Sequence, residues 1–138
     1  MTLAHDIHAS VNAVHRAAPG RVPGIAIVLG SGWDVVAEQV AAPIDVPYHH
    51  LPAFPVLGVA GHAGTLRLGQ VAGCEVALLR GRKHAYESGD AGAMKGAIRT
   101  LAGLGCHTLV LTNAAGSLSA DMRPGSMMLI SDHLNLVQ

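Results

Sequence analysis

A short charged segment, GRKHAYE from Gly81 to Glu87, follows an apolar run in a chain of which only 13 % is charged. Arg82 can bind an oxyanion through two parallel hydrogen bonds, because its guanidinium presents a planar fork of donors. His84 and Tyr86 follow at intervals of two, so an extended backbone would direct all three side chains to one side. The segment therefore predicts an anion site, with a solvated basic loop as the alternative.

Two segments of small residues also follow predicted strands. Gly30-Ser31-Gly32 ends one apolar run, and its glycines would let backbone N–H groups and the Ser31 hydroxyl approach an anion. The segment TNAAG at 112–116 ends another run and leaves room for a flat ligand against the backbone. Ligands of open α/β sheets bind beyond the carboxyl ends of strands. Each segment taken singly is also typical of an ordinary turn, and the glycine spacing fits neither a P-loop nor a dinucleotide fingerprint.

Histidine and cysteine spacing argues against a metal centre. His62 lies in a GHAG segment and is a fourth site candidate, although a lone histidine in such a loop is more often structural. The neighbouring histidines at 49–50 have no further ligands spaced to complete a metal site. Cys74 and Cys106 are expected to be reduced thiols, while the sequence alone leaves a disulfide open.

Composition bounds the class of protein. Nine basic residues balance nine acidic ones and the pI is about 7.1, so a global basic field for nucleic acid is absent. No apolar run reaches the roughly 18 residues of a membrane span, and the start of the chain does not read as a secretory signal. We expect a single domain in the cytoplasm, with no nucleic-acid or membrane partner.

Hydrophobic periodicity predicts strands mixed with helices, which favours an α/β layer architecture. Asp90 would cap the last helix. No helix follows the last predicted strand, so we expect a truncated fold. The helices are predicted over 3–18, 33–40 and 91–104, and the strands over 25–29, 44–49, 65–71, 75–80, 108–112 and 126–131.

The order of the segments carries a family resemblance. GSG, GHAG, GRKHAYE, TNAAG and finally SDHLNL at 131–136 closely resemble the N-terminal half of the trimeric-type purine nucleoside phosphorylases, over roughly residues 28–136. The tryptophan directly after GSG, Trp33, resembles the sequence of the actinobacterial branch of this family. The resemblance implies an α/β, phosphorylase/hydrolase-like layered fold with a central mixed β-sheet flanked by helices, truncated here. Residues 1–138 would be the N-terminal portion of a single nucleoside phosphorylase domain.

The resemblance also implies an activity and its residues. It implies phosphorolysis of purine (deoxy)ribonucleosides to free base and (deoxy)ribose 1-phosphate in purine salvage, by homotrimers that use phosphate as co-substrate and no cofactor or metal. His84 would be the catalytic residue, and Asn113 would brace its turn. The phosphate site would comprise Ser31, His62, Arg82, His84 and Ala114, and the ribose and nucleoside site Tyr86, Ala115 and Gly116.

Other interpretations stay open. The family's base-recognising groups lie beyond the part that this chain resembles, so the preference between 6-oxo and 6-amino purines is not encoded here. The chain would supply the phosphate site and part of the ribose site of an active enzyme. Alternatively, it would be a catalytically incompetent fragment or pseudoenzyme that binds phosphate weakly at most. A methylthioadenosine phosphorylase ranks lower, because 81–87 and 113–116 fit the purine nucleoside form. A truncated sheet would expose an apolar edge at 109–111 or 127–130 and promote association.

Overall fold

Five strands and four α-helices make up the described part of the chain, residues 2–57 and 64–134 of a computed structural model. A 3-10 turn, Tyr48–His50, follows the second strand. The α-helices are α1 (Leu3–Ala17), α2 (Asp34–Glu38), α3 (Ala85–Ser88) and α4 (Lys95–Gly103), and the strands are β1 (Ile25–Leu29), β2 (Ala41–Pro47), β3 (Thr65–Val71), β4 (Cys74–Arg80) and β5 (Thr108–Leu111).

The strands form one mixed sheet in the order β2-β3-β4-β1-β5. The pairs β2–β3 and β3–β4 are antiparallel, whereas β1 is parallel to both β4 and β5. Leu29 at the end of β1 pairs with Arg80 at the end of β4, and Val28 pairs with Leu111. The predicted mixed α/β sheet is therefore confirmed, and the carboxyl ends of β4, β1 and β5 lie side by side at one edge.

Each face of the sheet has its own apolar cluster. On one face, Leu66, Leu68 and Leu79 are fully buried with Val14 of α1 and Leu101 of α4. On the other face, residues of α2 pack over β1 and β4. Because burial of one such side chain contributes about 1.5–3 kcal/mol, these aliphatic contacts hold the helices on the sheet in a chain with few aromatic residues.

Two predicted helices are shorter than expected. The helix predicted over 91–104 begins only at Lys95, because the Asp90 carboxylate accepts a bond from the Gly92 N–H at 2.7 Å and forms a local turn. The helix predicted over 33–40 covers only Asp34–Glu38. None of the helices in residues 2–57 and 64–134 is long and apolar enough to cross a membrane.

The end of the described chain differs most from the prediction. Residues 126–131 form no strand, and the apolar side chains at 127–130 are exposed. The strand β5 was expected to be buried, yet all four of its residues are exposed. Among the described residues, β1 is the one strand that pairs with β5, and an apolar pattern yields a buried strand only where neighbouring elements cover it.

Candidate functional site

The carboxyl ends of β4, β1 and β5 bring three of the predicted segments together. The Arg82 guanidinium, after β4, donates from Nη1 to the Thr112 carbonyl oxygen at 2.8 Å. The Gly30 N–H, after β1, donates to the Thr112 hydroxyl at 2.9 Å. Residues that are far apart in the sequence thus meet at Thr112, directly after β5, at the edge where ligands of α/β sheets bind.

Gly30 touches the backbone of the neighbouring strand end. A Cβ atom at Gly30 would collide with the Thr112 carbonyl oxygen and would lie 2.9 Å from the Asn113 Cα. Only glycine fits this approach, which explains the residue type at the first position of the GSG turn.

Trp33 closes the GSG turn and contacts the next loop. Its backbone N–H donates to the Gly30 carbonyl at 3.2 Å, and its indole Nε1–H donates to the Asn113 carbonyl at 3.3 Å. Gly32 has φ +82°, which favours glycine. Ser31 is exposed at the tip of this turn, so its hydroxyl is open to a ligand.

A buried tyrosine supports the start of the charged segment. The Tyr48 hydroxyl donates to the Gly81 carbonyl at 2.8 Å, immediately before Arg82. Burial raises the pKa of Tyr48, so the hydroxyl stays a neutral donor at physiological pH. Gly81 itself has φ +122°, which turns the chain from β4 into the loop.

The expected alternation of Arg82, His84 and Tyr86 stops at His84. The helix α3 begins at Ala85, and the His84 N–H donates to the Glu87 carboxylate at 2.7 Å, which caps this helix. Tyr86 is therefore on a helical turn and is 84 % exposed. Its ring nevertheless stacks on the His84 ring, with centroids 5.0 Å apart and an interplanar angle of 10°. The two side chains therefore lie together, but not through an extended backbone.

The segment after Thr112 opens onto a cavity of about 460 Å³, a volume typical of small-molecule sites, which span roughly 300–1,000 Å³. Asn113, Ala115 and Gly116 form one wall, with Trp33 beside them. The Asn113 amide donates to the Ala114 carbonyl at 3.3 Å, a local main-chain bond that is also typical of an ordinary turn.

The remaining sequence candidates are His62, the metal-type side chains and the two cysteines. His62 lies outside the described residues. In residues 2–57 and 64–134 there is no group of three His, Cys, Asp or Glu side chains arranged to hold a metal ion. Cys74 and Cys106 are both free, and burial raises the pKa of the Cys106 thiol to about 11.

Sequence reasoning missed two residues that position the site, Tyr48 and Thr112. A buried tyrosine needs a partner for its hydroxyl, which was the available signal for Tyr48. The TNAAG motif includes Thr112, but its partners Val28 and Gly30 are more than 80 positions away in the sequence.

Comparison with known proteins gives consistent results. The family model described as the phosphorylase superfamily matches residues 24–137. Over 113 residues the chain is 42 % identical to purine nucleoside phosphorylase 1 of Geobacillus stearothermophilus, which covers 82 % of this chain and 41 % of that protein. It is 43 % identical over 113 residues to the purine nucleoside phosphorylase of Mycobacterium tuberculosis, covering 81 % of this chain and 42 % of that protein.

A solved structure agrees with these relatives. The purine nucleoside phosphorylase of Schistosoma mansoni in complex with inosine superposes with a TM-score of 0.77 at 32 % identity, over 91 % of this chain and 44 % of that one. The chain thus spans less than half the length of the proteins it matches.

Proposed function

The chain belongs to the phosphorylase superfamily, and from that premise we propose that it takes part in the phosphorolysis of purine (deoxy)ribonucleosides. The products are the free base and (deoxy)ribose 1-phosphate. This chain supplies the phosphate site and part of the ribose site. The observation that carries the proposal is the convergence of Arg82 and the GSG turn on Thr112 at one edge of the sheet.

The reaction requires a desolvated and oriented phosphate. The sugar passes through an oxocarbenium-like state, and a phosphate dianion held beneath the anomeric carbon both stabilises this positive charge and attacks it. Positioning and electrostatics therefore provide most of the catalysis. A half-buried arginine beside glycine-rich backbone meets that demand.

Arg82 is the main phosphate ligand in this proposal. Its Nη1 is engaged with the Thr112 carbonyl, and the fork carries further N–H donors that can grip an anion. Ser31 contributes its exposed hydroxyl, Ala114 its backbone N–H and His84 its imidazole, as the catalytic histidine in contact with phosphate. His62 is assigned to this site by its motif alone.

The nucleoside lies beside the phosphate. Tyr86, stacked on the His84 ring, contacts the ribose. Ala115 and Gly116 line the pocket wall, which is supported by their place on the cavity of about 460 Å³. The Schistosoma mansoni relative was solved with inosine, which supports a purine nucleoside as the substrate class.

The wider assignments follow the same relatives. Residues 1–138 supply the N-terminal part of one nucleoside phosphorylase domain, consistent with the 41–42 % of the relatives' lengths that they match. The assembly is a homotrimer in the cytoplasm that serves purine salvage. Inorganic phosphate is the co-substrate, and no cofactor takes part.

A phosphorolysis assay tests the proposal. The chain is incubated with inosine, with and without phosphate, and release of hypoxanthine is followed. We expect phosphate-dependent release, with kcat/KM about 10²-fold lower in Arg82→Ala, because one oriented charge-stabilising donor is lost. Lys83→Ala removes the same charge from the adjacent position and is the matched control. Absence of phosphate-dependent release eliminates turnover by these 138 residues alone.

A second candidate is phosphate binding without turnover, favoured by the partial coverage of the relatives. Calorimetric titration with phosphate tests it in a chain that releases no hypoxanthine. Heat from the wild type that disappears in Arg82→Ala supports a formed anion site. Identical behaviour of the two proteins, with no heat from either, shows that the site is not formed.

A further inference from the structure

We propose that Thr112 is the positioning residue of the phosphate site, holding the GSG turn with its hydroxyl and Arg82 with its carbonyl. The inference rests on the proposed function, because it concerns the same anion site. It adds a residue that would touch neither phosphate nor nucleoside.

The Thr112 hydroxyl is used in both of its hydrogen-bonding roles. It donates to the Val28 carbonyl at 3.1 Å and accepts the Gly30 N–H at 2.9 Å. Thr112 is only 8 % exposed. Loss of the hydroxyl would leave the part-buried Gly30 N–H without its partner, and an unpaired N–H that is shielded from water costs stability. The side chain thus links the end of β1 and the GSG turn after it to the end of β5.

The Thr112 backbone is fixed by the same strand. Its N–H donates to the Val28 carbonyl at 3.1 Å, which carries the β1–β5 ladder one residue beyond the strand end. Its carbonyl then accepts from Arg82 Nη1 at 2.8 Å. A displacement of Thr112 therefore moves Gly30 and Arg82 together.

These contacts preorganise the anion site. The Gly30 N–H is committed to Thr112, which leaves the exposed Ser31 hydroxyl and the following backbone to approach a ligand. Because Nη1 of Arg82 is already bonded to the Thr112 carbonyl, the side chain loses less conformational freedom when its remaining N–H donors bind phosphate. Catalytic and binding groups need this support to stay in productive geometry.

The test is a phosphate titration by calorimetry of the wild type and three variants. Thr112→Val keeps the side-chain shape but removes the hydroxyl, and we expect phosphate affinity to fall about tenfold, the effect of one buried hydrogen-bonding group. Thr112→Ser keeps the hydroxyl and should bind phosphate like the wild type. Thr108→Val removes a hydroxyl from the opposite, exposed end of β5 and is the matched control.

Hydrogen exchange of the Gly30 amide provides a measurement without phosphate. In the wild type this amide should exchange more slowly than the amide of Gly116, which lies in open surroundings. It should lose its protection in Thr112→Val and keep it in Thr112→Ser. If Thr112→Val does not fold, an unprotected Gly30 amide in the wild type is enough to overturn the inference.

The outcomes separate this inference from the proposed function. A wild type that binds no phosphate removes the anion site, and the role of Thr112 falls with it. A wild type that binds phosphate through Arg82, with Thr112→Val binding equally well, overturns the role of Thr112 alone. Weak binding in Thr112→Val with full rescue by Thr112→Ser supports it.

Discussion

At the scale of single residues, the site depends on close backbone approaches as much as on charged side chains. Residue types alone indicated Arg82 as an anion ligand and the GSG glycines as positions where backbone N–H groups approach an anion, whereas the Gly30 N–H is bonded to Thr112. The structure adds that Arg82 meets Thr112 as well. The hydrogen-bond partner of an arginine cannot be predicted from its own segment, because it lies on a different strand.

Gly30→Ala is expected to weaken phosphate binding and to lower the free energy of unfolding by about 1–3 kcal/mol, as overpacked positions do. The new Cβ would push on the carbonyl that holds Arg82. Calorimetric titration and chemical denaturation measure the two effects. Gly24→Ala, before β1, is the control, because its Cβ would lie nearest to the His107 side chain, at 3.0 Å, and not to a main-chain carbonyl. Equal phosphate affinity in the two variants would contradict the prediction.

At the scale of elements, α1 and α4 are held on the segment after β2 by close contacts that no amphipathic pattern reveals. Gly96 in α4 packs against the Ala53 carbonyl, and the Ala53 N–H donates to the buried Ser10 hydroxyl of α1 at 2.9 Å. The segment that follows β2 is thus fixed between two helices. Periodicity predicted α1 and the existence of α4, but not this contact.

Gly96→Ala should lower the free energy of unfolding by about 1–3 kcal/mol, even though alanine is the better helix former by roughly 1 kcal/mol. The Cβ would collide with a main-chain carbonyl, which cannot move aside as a side chain can. Thermal unfolding measures the change. Gly116→Ala, whose Cβ meets open space, is the control. A rise in melting temperature for Gly96→Ala would show that the contact relaxes freely.

The pairing of β2 with β3 is reinforced by an ion pair that predicts acid sensitivity. Both Asp45 carboxylate oxygens accept from Arg67, at 2.7 and 2.6 Å, and this hydrogen bonding lowers the pKa of Asp45 from its ordinary value of 3.8. A lowered pKa in the folded state means that the stabilisation is present above about pH 4 and is lost as the pH falls through the lowered pKa.

Asp45→Asn should therefore flatten the decline in stability as the pH falls below about 4. The effect should be less than about 1 kcal/mol, because the Asp45 side chain is 39 % exposed and water screens the pair. Urea unfolding at a series of pH values measures it, with Asp121→Asn, on an exposed turn, as the control. Parallel pH profiles for the wild type and Asp45→Asn would refute the assignment.

At the scale of the whole molecule, one surface of the 138-residue chain is unusually apolar. In β5, Leu109 is 43 % and Leu111 66 % exposed, and the side chains at 127–130 border the same cavity of about 740 Å³. An exposed apolar edge strand is a template for pairing with another chain. The expectation of an unpaired apolar strand at 109–111 or 127–130 thus corresponds to β5, whereas 127–130 is exposed but forms no strand.

The isolated chain should associate as its concentration rises, which light scattering can follow. A Leu109→Lys, Leu111→Lys double variant should reduce this association, because lysine on an edge strand opposes pairing. Leu118→Lys replaces an exposed leucine outside β5 and is the control. A wild type that stays monomeric at every concentration would contradict the prediction.

The sequence by itself predicted most of the elements, their order along the chain and the chemistry of the site candidates. Periodicity, turn residues and side-chain type are local properties, so the helix α1 and the hairpin of β3 and β4 could be predicted, and Arg82 could be proposed as an anion ligand. The lack of a strand at 126–131 could not, because strand formation depends on neighbours. Only the tertiary structure decided that Val28, Gly30 and Arg82 meet at Thr112. The sheet order places β1 between β4 and β5, and contacts over such sequence distances follow from strand pairing, not from any local pattern.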